Sequence, residues 1–137
     1  MSEVSEVLAA RGPEVGDRLD AVEARLREVA ASAAPPLGAL ASDTIAAGGK
    51  RLRPLLVLLA AGAGGREPAD EAAVVRAGVA VELIHSATLV HDDVLDAAPL
   101  RRGRPTVWSV AGAAGATAVG DFLFARAFTE IVRNGSA

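Results

Sequence analysis

Cysteine and tyrosine are missing from this chain, and its 137 residues include one methionine, one tryptophan and three phenylalanines. Without cysteine there is no disulfide framework and no thiolate metal site. Aromatics this sparse, with no alternating β-branched runs, argue against strands. A formal net charge of −3 excludes the broad basic footprint of a nucleic-acid binder. The opening stretch MSEVSEVLAA is acidic and lacks the basic-then-apolar layout of a signal peptide. No uninterrupted apolar run reaches membrane-spanning length, so the expectation is a cytoplasmic protein without a transmembrane segment. Lysine is nearly absent as well: Lys50 stands alone against thirteen arginines.

What is present is helical periodicity. Residues 14–33 carry Val15, Leu19, Val22, Leu26 and Val29 on one stripe with charges opposite, and Pro35-Pro36 ends the segment. Residues 37–47 form a short helix closed by Gly48-Gly49. Pro54 suits a first helical turn, and LLVLLAA after it is apolar all round, hence expected to be buried. A connector spans residues 62–68. Residues 69–97 read as one helix, about 40 Å long and stopped by Pro99. Gly103 to Pro105 is a turn, and residues 106–133 are helical again with a break near Gly112 or Gly115. Asn134-Gly135 is a helix stop. The expected fold class is all-α, with an amphipathic helical region over residues 1–34 and one incomplete domain over 35–137.

Two helix ends carry the charge their own backbone disfavours. HDDVLD places Asp92, Asp93 and Asp96 three and four residues apart, on one face of the last turns, where the macrodipole is already negative. A bound cation resolves that conflict, and oxygen ligands without His or Cys suit Mg²⁺, which keeps waters and shares its shell with phosphates. GGKRLRP sets Lys50, Arg51 and Arg53 at a helix start with free N–H groups, which makes an anion site with phosphate as the usual occupant. Arg101 and Arg102 follow the acids as further phosphate clamps. Taken singly, the acids also fit a solvated helix end neutralised by Arg101 and Arg102, and the bases a surface turn paired with nearby acids. His85 lies two turns before Asp92 on the same face; it reads equally as a ligand or as a core histidine paired with Glu82. Asp121 sits in an apolar helix and, if buried, needs a partner. Trp108 and the phenylalanines read as core or cavity wall.

GGKRLRP, ELIHSATLVHDDVLD, RRGRPT and a Gly-Asp pair within an apolar helix occur in the order found in trans-polyprenyl diphosphate synthases, and from about residue 35 onward the chain resembles that family. The resemblance implies the N-terminal half of an isoprenoid-synthase helical bundle around an apolar cavity. It implies that an allylic diphosphate ionises with Mg²⁺ assistance. Isopentenyl diphosphate then attacks through its double bond and a proton is lost. By matching position, Asp92, Asp93 and Asp96 are implied as the Mg²⁺ and catalytic residues. Arg101 is implied to contact the allylic diphosphate, and Lys50, Arg53, His85 and Arg102 to hold isopentenyl diphosphate. Ala87 and Thr88, with Phe122 and Phe124 deeper, are implied as cavity walls that set product length.

The departure from the family is one of extent: the second aspartate-rich motif is absent. The expectation is therefore a subunit of a split prenyltransferase that needs a complementary C-terminal-half polypeptide, in a hetero-oligomer such as a dimer of heterodimers. The stop at Asn134-Gly135 fits that expectation. The alternatives are a non-catalytic regulatory or docking subunit, half of a split class I terpene synthase, or a fragment of an ordinary synthase.

Overall fold

The structure is a computed structural model that describes residues 6, 9, 13–63 and 70–135. Among them are five helices: α1 (Pro13–Ala30), α2 (Leu37–Ala46), α3 (Leu52–Gly62), α4 (Glu71–Leu95) and α5 (Val107–Val132). The all-α expectation holds. Most of the first twelve residues, and most of the expected connector at 62–68, lie outside the described residues.

Each helix forms for a local reason. On α1 the spacing of Val15, Val22, Leu26 and Val29 gives one buried stripe. Asp70 caps α4 by accepting a 2.9 Å hydrogen bond from the Ala73 amide. Thr106 caps α5 by accepting from the Ser109 amide at 3.1 Å, and its hydroxyl donates to the Ala98 carbonyl at 2.6 Å. The expected break falls at Gly112, whose φ of 71° and ψ of −179° interrupt α5 in a conformation few other residues adopt. The stop at Asn134 is also a tie, since its side-chain amide donates to the Ala73 carbonyl at 3.0 Å.

The core lies where α1, α2, α4 and α5 meet, and contains Val22, Leu26, Ile45, Val79, Leu83, Val119 and Leu123. Small residues such as Ala87, Ala116 and Ala127 are interspersed along α4 and α5, which lets the two long helices approach closely. Trp108, Phe122 and Phe124 pack half-buried against this core, whereas Phe128 is exposed.

Three expectations need correction. Helix α3 is not buried all round: Leu55 and Leu58 join Val15 in a small satellite core, but Leu56 is 65% exposed. Its inner face meets α1 and α4, and no described residue covers the outer one. The turn after α4 is a minimal antiparallel ribbon, Leu100–Arg101 (β1) against Arg104–Pro105 (β2). Arg102 and Gly103 both take positive φ there, 51° and 75°, as a type I′ hairpin turn requires. Finally, α4 and α5 each contain an 18-residue window apolar enough to cross a membrane by length and composition alone. Isolated charges interrupt both windows, so neither is an unbroken apolar run. Here the two helices are packed on each other as the core pair.

Candidate active site

The two charged helix ends open onto one cleft of about 740 Å³ between the α2–α3 loop, α4 and the ribbon. Lys50, Arg53, His85, Asp93, Arg101 and Arg102 all line it. Of the three acids at the end of α4 only Asp93 lines this cleft; Asp92 and Asp96 do not, so the basic loop meets one carboxylate of the acidic helix end there. Leu40, Leu89, Val107 and Val110 add apolar wall.

The acids are not equivalent. Asp93 is buried, and both Nε and a terminal nitrogen of Arg101 reach its Oδ1, at 2.9 and 2.8 Å. The Asp93 hydrogen bond raises the Arg101 pKa against the pull of burial, and Asp92 and Asp96 add to the rise. Asp92 and Asp96 are exposed and form no salt bridge among the described residues. No three His, Asp or Glu side chains among the described residues converge as a ready-made metal cage. The donor set instead fits a hydrated hard cation: two free carboxylates beside a third, all oxygen, at a helix C-terminus.

The bases divide as well. Lys50 and Arg53 are exposed in the cleft. Arg51, read from sequence as part of the anion site, turns inward and is only 8% exposed. Its guanidinium donates to Glu82 Oε1 at 3.0 Å and to the Ile45 carbonyl at 2.8 Å, and also binds Glu23 on α1. Glu82 thus pairs with Arg51 and not with His85. The free Glu82 oxygen, Oε2, is buried without a hydrogen-bond partner at the cleft wall.

His85 is partly buried. Burial, and next the Arg53 guanidinium, hold its imidazole below the ordinary 6.5, with Arg102 and Arg101 adding to the effect and Glu82 opposing it. The folded chain therefore binds fewer protons at this site than the unfolded chain, and protonation favours unfolding. Folding stability should begin to fall as the pH drops below 6.5, and the loss should level off below the folded-state value. Denaturant titrations across this range check it, and the acid-side fall should shrink in His85→Gln. Equal falls in both proteins would refute the assignment.

The four expected cavity-wall residues sit outside this cleft. Ala87 is buried in the core, and Thr88 is exposed with its hydroxyl donating to the His85 carbonyl at 2.7 Å. Phe122 and Phe124 pack on the core from α5, and none of the four lines the cleft. Asp121 is not buried; its side chain is 69% exposed and faces His91 Nε2 at 3.2 Å. One further charged residue was overlooked: Glu130, fully buried on α5 and gripped by Arg25 of α1 through 2.7 and 3.2 Å hydrogen bonds. Its position on the stripe Val119, Leu123, Ala127 was the available signal, since a carboxylate on an apolar stripe must be paired.

Residues 35–136 match the Polyprenyl synthetase family model, and the chain belongs to that family. It is 45% identical over 122 residues to heptaprenyl diphosphate synthase component 2 of Geobacillus stearothermophilus, covering 89% of this chain and 37% of that protein. A decaprenyl diphosphate synthase structure from Rhodobacter capsulatus superposes with a TM-score of 0.80 at 40% identity, covering 90% of this chain and 37% of that one. A polyprenyl synthase structure from Caulobacter crescentus, titled as complexed with calcium and isoprenyl diphosphate, gives a TM-score of 0.78 at 37% identity, with 98% and 39% covered. The chain thus spans well under half the length of these relatives.

Proposed function

We propose that this chain supplies one half of the active site of a Mg²⁺-dependent trans-prenyltransferase, which condenses an allylic diphosphate with isopentenyl diphosphate. The observation that carries the reading is the single cleft lined by Lys50, Arg53, His85, Arg101, Arg102 and Asp93. Two anionic substrates need cations on several sides, and a metal site at the same wall neutralises what the arginines do not. Asp92, Asp93 and Asp96 would hold Mg²⁺, which would supply charge neutralisation for a departing diphosphate. Arg101, already oriented by Asp93, faces the allylic diphosphate. Lys50, Arg53, His85 and Arg102 hold isopentenyl diphosphate. Leu89, Val107 and Val110 keep water from the reacting carbons.

A relative named as a component of a heptaprenyl synthase, and a neighbour titled with a divalent cation and an isoprenyl diphosphate, support this reading. The relative named as component 2 of a heptaprenyl diphosphate synthase supports a complementary polypeptide that closes the cleft, and in this reading that polypeptide adds the second acidic motif. The setting proposed is cytoplasmic. The test is a prenyl-transfer assay of the chain alone and of the chain co-expressed with a downstream synthase half. Turnover only in the combination is expected, and full turnover by the lone chain would overturn the split arrangement.

A further inference from the structure

One side chain of the acidic motif packs against α5, and the site described above gives it no task. His91 immediately precedes Asp92, and its ring projects onto α5. It meets four residues there: the Thr117 carbonyl at 3.4 Å, Asp121 Oδ1 at 3.2 Å, the Phe124 ring at 5.7 Å between centroids, and the backbone of Gly120. Positions 117, 120, 121 and 124 are i, i+3, i+4 and i+7 on one stripe of a helix, the outline of a hole that accepts one knob from a facing helix. The floor of the hole is glycine. A Cβ on Gly120 would fall 2.9 Å from His91 Cε1 and closer still to Nε2 and Cδ2, so any other residue there requires the ring to leave this position.

We propose that His91 is a positioning residue: seated in this socket, it sets where the last turn of α4 directs Asp92 and Asp93. The inference rests on the prenyl-transfer reading for its functional consequence, but not for its geometry. Successive helical residues point about 100° apart, so a ring fixed against α5 at position 91 dictates the direction of the next two carboxylates. Val90 and Val94 also anchor this turn on the core, and the Asp96 and Ala97 amides donate to the Asp92 and Val94 carbonyls at 2.8 and 3.3 Å, but none of these meets α5 through a side chain of the acidic motif itself. Arg101 holds Asp93, the Ala98 amide donates to the Asp93 carbonyl at 3.0 Å, and Ala97 has already left the helix with a φ of 48°.

Shape outweighs charge here. The His91 and Asp121 side chains are 30% and 69% exposed, and an ion pair that open to water contributes little. The socket therefore predicts an order of effects that a charge pair would not. Gly120→Ala, which expels the ring, should do most harm; His91→Ala should do less; Asp121→Asn should be nearly silent. In the His91→Ala background, adding Gly120→Ala should have almost no further effect, because the clash is gone.

The test uses the whole chain and reads amide hydrogen exchange. His91→Ala should speed exchange at Asp96, Ala97 and Ala98 by about tenfold or more while Val79 to Leu83 stay protected, because the loosening is local. In the chain assembled with its complementary half, the same variant should raise the KM for the allylic diphosphate by about 10–100-fold and leave that for isopentenyl diphosphate within about twofold. Equal loosening along all of α4, unchanged exchange at its end, or full additivity of the two alanine substitutions would each overturn the proposal. Failure of the wild-type assembly to turn over would count against the prenyl-transfer reading alone, because the exchange result judges the socket without substrate.

Discussion

Arg51→Ala is expected to destabilise the fold by about 3–5 kcal/mol, far more than removal of a surface arginine. The side chain ties three helices at once. It meets Glu23 on α1, Glu82 on α4 and the Ile45 carbonyl near the end of α2, and its own backbone, in the left-handed region at φ 51°, opens α3. Burial lowers its pKa, but the two carboxylates more than offset that, so the group stays charged. Alanine would leave Glu82 as a buried anion, with neither oxygen partnered. Arg51→Lys should recover only part of the loss, since an ammonium cannot fork between acceptors on separate helices. Denaturant midpoints measure it, provided the slope m is unchanged. A loss below about 1 kcal/mol would mean the pairings are solvent-screened and contribute as surface ones do.

The second large effect is on turnover. Asp92→Ala should lower prenyl transfer by the assembled enzyme roughly 10²–10³-fold while shifting stability by less than about 0.5 kcal/mol. Asp92 is exposed and unpaired among the described residues, so its loss removes a ligand and no packing. Asp93→Ala should give a similar loss of rate but should also cost stability, because Asp93 is buried and neutralises Arg101 at 2.8 Å. The two variants thus separate metal binding from architecture. Initial rates with saturating Mg²⁺, alongside thermal melts, are the measurement. Unimpaired rates in both variants would favour a regulatory subunit over a catalytic one.

Much of the architecture was legible because it depends on local rules. The stripe on α1, the proline before α2, the long run to Pro99, the break at Gly112 and the Asn134 stop each follow from periodicity or a single residue's backbone preference. The two charged ends were legible for a related reason, since each opposes its own helix dipole. The errors came where a side chain's role depends on what faces it. Arg51 and Arg53 are two residues apart in one basic motif and both line the cleft, yet one is buried among carboxylates and the other is exposed. Glu82 pairs with a residue 31 positions away and not with the histidine three positions on. Ala87, Phe122 and Phe124 pack the α4–α5 core and Thr88 faces solvent, positions that no pattern within one helix specifies.

The amino-acid order alone determined that the chain is helical, where its helices start and stop, and which two ends hold opposite charge, because these are set within a few turns of backbone. Only the tertiary structure decided that the two ends share one cleft, that Arg51 is buried among carboxylates at its wall, and that His91 sits over Gly120. The reason is that facing partners are fixed by how helices cross, and the crossing depends on packing over the whole core and not on any one stretch of chain.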